Sequence, residues 1–146
     1  MFLPFLLTST AYIIYILLYI LYVVGFWKMF TKAGEAGWKS IIPFYNMYIL
    51  YKISWSGQMF WIWFLCIVLS TGLESYIYSG GAGGWNVVAV ISGIAATVIS
   101  LMQIVKLGAA YGKGIFFDLG LVFFNPVFIM ILGFDSSRYC GPLRRA

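Results

Sequence analysis

The sequence predicts an all-α integral membrane protein, and two observations carry this prediction. The first is composition: 63% of the residues are hydrophobic, 21% are aromatic and only 9% are charged. A globule of 146 residues with so few charges would not stay in solution. The second is the spacing of the charges, because residues 1–27, 53–73 and 75–105 contain none. Each gap can hold a spanning helix, which needs about 20 mostly apolar residues.

These gaps divide one transmembrane domain, residues 1–146, into membrane segments and loops. Four membrane segments are predicted, at about residues 10–30, 59–78, 85–107 and 115–134. The other parts are a first loop, a Gly-rich second loop and a basic tail, at residues 31–58, 79–84 and 135–146. The first helix is not expected to be a removable signal peptide, because no Lys or Arg precedes it and its apolar run is too long.

The cations predict the orientation of the chain in the bilayer. Four lysines lie in or beside the first loop, together with two tryptophans: Trp27, Lys28, Lys32, Trp38, Lys39 and Lys52. Loops with Lys and Arg stay on the inner side, and Trp rings lie among the headgroups. The N-terminus and the cation-free Gly-rich loop are therefore expected outside, and the first and third loops inside. On this interpretation the net charge of +5 reflects lysines that hold the loops on the inner side of the membrane, and it does not indicate a nucleic-acid partner.

The last membrane segment is interrupted by Asn125-Pro126, and two interpretations stay open. The first is a crossing with a proline kink, which puts Arg138, Arg144 and Arg145 outside. The second is a pair of half-helices that dips in and returns, which brings all nine cations to one face. Broken backbone at that depth needs cover from protein or water. The kinked crossing is slightly favoured, since charges in a short C-terminal tail constrain the membrane topology only weakly.

The first loop is predicted to contain a short helix lying along the inner surface. Lys32 followed by Gly34 indicates the end of the first membrane helix. Pro43 and Asn46 indicate a new helix that Asn46 caps and that runs through Ile53. Its apolar side is expected to face lipid: Met47, Ile49, Leu50 and Ile53.

Two stripes indicate which helix faces meet protein. One side of the first helix carries four tyrosines: Tyr12, Tyr15, Tyr19 and Tyr22. Because a hydroxyl facing hydrocarbon lacks a partner, Tyr15 and Tyr19 should face other helices or a wet cavity. The third helix offers a smooth, hydrogen-bonding face: Ser92, Ala96, Ser100 and Gln103. We expect the tyrosines to pack on this face, within the subunit or across a homo-oligomer.

Few residues could support chemistry. Asp118 lies one turn into the last segment, within possible reach of Lys106 or Lys113, and an ionisable group at membrane depth is a candidate for function. The chain has no histidine, which removes His-based zinc sites and His-assisted nucleophiles. Cys66 and Cys140 are too isolated to indicate a disulfide framework or a metal site. We predict no catalytic residue, no metal and no cofactor.

Two blocks of sequence carry a family resemblance. The first runs from Trp27-Lys28 through Lys32-Ala33-Gly34-Glu35 and Gly37-Trp38-Lys39 to Pro43-Phe44-Tyr45-Asn46. The second contains Tyr111-Gly112-Lys113-Gly114 and Gly133-Phe134-Asp135. Together they resemble an uncharacterised family of small bacterial membrane proteins whose members are often labelled signal peptidase I by automatic transfer. The resemblance implies a bacterial cytoplasmic membrane and a multi-helix core, and it supplies no catalytic residues.

The functional prediction is a non-enzymatic assembly or partner-binding protein that uses its inner loop and its Tyr-rich helix. Its expected partners are the lipid bilayer and either further copies of itself or another membrane protein. The alternative is a small channel or carrier, with Asp118, Gln103 and the tyrosine hydroxyls lining a polar route. A membrane peptidase, as the family label suggests, comes third.

Overall fold

The computed structural model describes residues 2–81 and 83–142, with side chains described for 10–81 and 84–142. Every regular element within those residues is helical, which confirms the all-α prediction. Six α-helices follow in order: α1 Phe2–Lys32, α2 Pro43–Ser54, α3 Gly57–Tyr78, α4 Asn86–Ala110, α5 Ile115–Phe123 and α6 Asn125–Phe134. Two short 3-10 helices, Gly37–Ser40 and Gly83–Trp85, precede α2 and α4. Arg144 and Arg145 of the predicted basic tail lie outside the described residues.

Three of the described helices are long and apolar enough to cross a membrane. They span Thr10–Lys32, Gly57–Tyr78 and Asn86–Ala110, with mean hydropathies of 2.0, 1.5 and 2.2. These are the first three segments that the charge gaps predict. Helix α6 is apolar too, but its 10 residues are too few for a crossing. A fourth complete crossing is therefore not observed in the described chain.

Helix α1 ends where the sequence predicts. Gly34 adopts a left-handed conformation (φ 78°), which glycine enters without the steric cost that other residues meet. Its N–H donates to the carbonyl oxygen of Thr31 at 3.1 Å, and the N–H of Glu35 donates to that of Phe30 at 2.9 Å. These two bonds form a Schellman cap, which turns the chain sharply out of the helix. The same left-handed glycine follows α4, at Gly112 (φ 68°).

Helices α5 and α6 fold back on each other as an antiparallel pair, called here the hairpin. The ring of Phe117 in α5 meets that of Phe128 in α6 edge-to-face, with centroids 4.9 Å apart. Lys113, just before α5, forms an ion pair with Asp135, just after α6. A continuous helix over the same 20 residues would hold its ends about 30 Å apart. The slightly favoured kinked crossing is therefore wrong, because Pro126 starts a new helix instead of bending an old one.

Helix α6 packs against the second half of α1 and runs in the same direction. The Tyr22 hydroxyl donates to Oδ1 of Asn125, at the start of α6, across 3.3 Å. Three turns further along α1, the Lys32 ammonium donates to the carbonyl oxygen of Asp135 at 2.6 Å. Helices α1, α4 and α6 thus end close together, and α5 begins among them. We call this region the lysine end, after the cations found there: Lys32, Lys39, Lys52 and Lys113.

The hydrophobic core lies at the lysine end and is centred on α2. It is built from the buried side chains of five helices, among them Met29, Phe30, Ile49, Leu50, Ile53, Leu107, Leu121, Ile129 and Leu132. The prediction that Ile49, Leu50 and Ile53 face lipid is therefore wrong, and only Met47 of that set is exposed. An apolar stripe suits lipid and protein equally, and here it joins the core, with α2 packed against α3 and α4.

The start of α2 also differs from the prediction. Pro43 occupies the first turn, where its missing N–H is no loss, and the preceding cap position is Ile42. Asn46 lies inside the helix and does not cap it. Its side-chain amide instead donates to the carbonyl oxygen of Ser40 at 3.2 Å, which ties α2 to the 3-10 helix before it.

Candidate functional site

The tyrosine stripe of α1 divides into a packed part and an uncovered part. Tyr22 packs edge-to-face on Phe26 at 4.7 Å and bonds to α6. The other three tyrosines are exposed by 70%, 70% and 53%: Tyr12, Tyr15 and Tyr19. Their hydroxyls have no hydrogen-bond partner among the described residues. Every side chain from residue 10 to residue 21 is exposed, so no other part of the described chain covers this portion of α1.

The small-residue face of α4 is covered by α3 and not by α1. Ser92 and Ala96 are buried, and Ser100 accepts a hydrogen bond from the indole N–H of Trp63 at 2.8 Å. Gln103 donates to a serine hydroxyl at the end of α2 across 3.4 Å. The hypothesis that the tyrosines pack on this face within the subunit is therefore wrong. A short connection makes α3 and α4 antiparallel neighbours, so α3 covers the small-residue face of α4.

Asp118 is buried, with 6% of its surface exposed. Its carboxyl lies against Gly108 of α4, where a Cβ would collide with Oδ1. Within the described chain Oδ1 accepts no hydrogen bond. The expected ion pairs with Lys106 or Lys113 are not formed: Lys113 pairs with Asp135, and the Lys106 ammonium lies 4.7 Å above a tryptophan ring. Asp118 and Gln103 thus contact different neighbours, Gly108 of α4 and Ser54 of α2.

Glu35 links the first loop to α2. One carboxylate oxygen accepts a hydrogen bond from the Lys39 ammonium at 2.5 Å, and the other accepts one from Lys52 at 2.7 Å. Burial opposes ionisation of this carboxyl, but the two ammonium groups outweigh that effect and lower the pKa of Glu35. The carboxylate holds the loop against α2, and the cluster of two lysines and one acid keeps one positive charge.

Asp135 performs the same task for the hairpin. It pairs with Lys113 before α5 and lies 3.5 Å from the Lys32 ammonium at the end of α1. It also accepts a hydrogen bond from the N–H of Ser137 at 2.6 Å. Burial by itself raises the pKa of Asp135, but the hydrogen bonds from Lys113 and Ser137 have the larger opposite effect. The pKa of Asp135 is therefore lowered overall, and the group stays ionised. The carboxylate therefore fastens both ends of the hairpin to α1.

Neither acid was among the residues that the sequence singled out. The available signal was their scarcity, since the chain has only four acidic residues against nine cations. Glu35 and Asp135 also stand inside the two blocks that carry the family resemblance. Because a carboxylate among loop lysines could be merely solvated, spacing alone did not reveal which cations each acid would meet.

The remaining residues of the first loop have packing roles. The Trp27 ring covers Gly37, where a Cβ would meet the indole. The Lys28 ammonium lies 4.2 Å above a phenylalanine ring at the end of α6. Trp38 stacks on Tyr45 at 6.3 Å and stays half exposed. This basic loop thus surrounds the core at the lysine end.

The tail after α6 is anchored on the same core. The Tyr139 hydroxyl donates to the carbonyl oxygen of Ile53 at 2.7 Å, and the N–H of Cys140 donates to that of Ala110 at 2.8 Å. Cys66 and Cys140 are both free thiols. Over the described part of the chain, His, Cys, Asp and Glu form no group of three that could hold a metal ion.

One family matches the chain. It is described as "Family of unknown function (DUF5684)", and the match covers residues 38–142. It takes in α2 to α6 and begins at Trp38, within the first block of the resemblance. No curated protein and no solved structure matches the chain.

Proposed function

The chain belongs to the DUF5684 family, whose function is unknown, and we propose that it is a non-enzymatic assembly protein that pairs with a second copy of itself through the outer half of α1. The observation that carries the proposal is the exposure of Tyr12, Tyr15 and Tyr19 on an otherwise apolar helix.

The proposed setting is a bacterial cytoplasmic membrane. The lysine end faces inward, the N-terminus lies outside, and α1, α3 and α4 cross the bilayer. The hairpin enters from the inner side and returns to it. Helix α6 has 10 residues, so it reaches about 15 Å into a hydrocarbon layer of about 30 Å. This arrangement keeps the tail cations with the lysines of the loops, in agreement with the positive-inside rule.

The hairpin then covers only the inner half of α1. Tyr22 marks its limit, near the middle of the bilayer, and Tyr19 and Tyr15 lie about 5 and 10 Å beyond. At that depth a tyrosine hydroxyl has no water to bond, and each unsatisfied polar group is costly. Something that carries hydrogen-bonding groups is therefore expected to cover the stripe.

A second copy of the chain meets this requirement. A tyrosine hydroxyl both donates and accepts, so two identical stripes can satisfy each other. Such a contact is self-complementary and closes as a two-fold dimer. Each interhelical bond contributes only about 0.6 kcal/mol, so ring packing supplies the larger share of the association.

Cross-linking in native membranes tests the proposal. In a background with Cys66 and Cys140 replaced by Ser, we expect Tyr15→Cys to form a disulfide-linked dimer under mild oxidation. Leu17→Cys is the matched control, since Leu17 is apolar and also exposed (55%) but points about 160° away from Tyr15 around the helix. Equal cross-linking at both positions, or a product with the mass of one chain plus a different protein, would reject the second copy as the occupant.

The channel or carrier remains the second candidate because of one observation: the buried Oδ1 of Asp118 has no hydrogen-bond partner among the described residues. Ionisable groups at membrane depth are often functional. Proton or cation flux in liposomes that depends on this carboxyl would favour it over assembly, and Asp118→Asn is the variant that shows the dependence.

A further inference from the structure

A groove lined by aromatic rings lies between the beginning of α2 and the beginning of α3. Its volume is about 310 Å³, and we call it the aromatic groove. It is lined by five residues: Phe44, Tyr45, Tyr48, Phe60 and Trp61. Phe60 is fully buried, whereas Phe44 and Trp61 at the sides are exposed by 53% and 57%. The groove is therefore open to the surroundings along one side.

The rings around the groove hold one another in place. Phe44 and Tyr48 each meet Phe60 edge-to-face, at 5.3 and 5.6 Å. Tyr45 stacks on Tyr48 at 5.9 Å. Gly57 makes room for this arrangement, because a Cβ there would come within 2.9 Å of the Tyr48 hydroxyl oxygen. The groove is thus formed before any ligand arrives, which lowers the entropic cost of binding.

In the membrane setting proposed above, the groove lies at the level of the lipid headgroups. Helix α3 begins its candidate membrane span at Gly57, so Phe60 and Trp61 stand in the first turn of that span. Two cations border the groove. The Lys39 ammonium is 5.8 Å from the Tyr45 ring centroid, and Lys52 follows Tyr48 by one helical turn with half its side chain exposed.

The charge beside the groove is positive. Glu35 bonds to both lysines, so the cluster keeps one uncancelled charge. An apolar groove beside one net positive charge complements a molecule with a long apolar chain and a single negative headgroup. We propose that the aromatic groove binds an anionic phospholipid of the inner leaflet. An acyl chain lies along Phe44 and Trp61, and the headgroup phosphate lies at Lys52.

Intact-complex mass spectrometry of the full chain in an uncharged detergent tests this site, with phosphatidylglycerol and phosphatidylcholine as probes. We expect the wild-type protein to bind phosphatidylglycerol about fivefold more tightly, the factor expected for one lysine near an anionic lipid. Lys52→Gln should remove this preference, and Trp61→Ala should weaken binding of both lipids. Glycerol phosphate, which lacks the chains, should not compete.

Lys106→Gln is the matched control, because Lys106 belongs to the same end of the bundle but its ammonium lies over the Trp55 ring and not beside the rings of the groove. It should keep the wild-type preference. Equal wild-type affinity for the two lipids, or an equal loss in Lys52→Gln and Lys106→Gln, would overturn the proposal. Unchanged binding in Trp61→Ala would do the same. If that variant aggregates, Phe44→Ala, which removes the other half-exposed ring, takes its place.

Discussion

Asp135→Asn should loosen the hairpin from α1. The substitution keeps the size of the side chain but removes the charge that meets Lys113 and lies 3.5 Å from the Lys32 ammonium. At that distance one ion pair is worth about 1 kcal/mol in bulk water and about 5 kcal/mol at an effective dielectric constant of 20. The side chains are about one quarter exposed, which favours the lower end. We expect a loss of about 1–2 kcal/mol, or about 2–8 °C in melting temperature.

The assay is thermal unfolding in detergent, followed by intrinsic tryptophan fluorescence between pH 7 and pH 3. Because the folded-state pKa of Asp135 is lowered from its ordinary value of 3.8, its contribution is complete above that value and is lost as the pH falls through the folded pKa. The gap between wild type and Asp135→Asn should therefore narrow below about pH 4. Glu74→Gln is the control, an exposed carboxyl without an ion pair in the described chain. The reasoning fails if the variant melts with wild type at pH 7, or if the gap is the same at both ends of the range.

Two further predictions concern the hairpin. Gly133→Ala should destabilise the fold by about 1–3 kcal/mol, because its Cβ would collide with the backbone of Gly25. The control Gly72→Ala should not, because a Cβ at Gly72 meets open space. Equal melting temperatures of the two variants would contradict the close contact of α1 and α6. In the Cys66→Ser variant, the exposed thiol of Cys140 should resist an impermeant maleimide in intact cells and react after permeabilisation; labelling from outside would end the proposal of a hairpin that returns to the inner side.

Local signals in the sequence were sufficient for most helix ends and for the apolar helices. The end of α1 follows from Lys32 and Gly34, because a left-handed residue after a helix favours glycine wherever the chain goes next. The start of α2 was only partly predicted, because Pro43 lies in its first turn but Asn46, the predicted cap, lies inside the helix. The role of Ile49 could not be predicted, because an apolar side chain satisfies lipid and protein core alike. Its burial depends on core residues that are distant in sequence, such as Leu107 of α4.

The sequence by itself determined that the chain is a membrane-type bundle of helices, because uninterrupted apolar stretches exclude water over lengths that match a bilayer. Only the tertiary structure decided how the last segment runs. Asn125-Pro126 is compatible both with a kinked helix and with a chain reversal. The choice between them comes from contacts between residues far apart in the chain, above all Lys113 with Asp135 and Tyr22 with Asn125. Those contacts also leave Tyr12, Tyr15 and Tyr19 uncovered by the described part of the chain, since a hairpin of half-length helices extends along only half of α1.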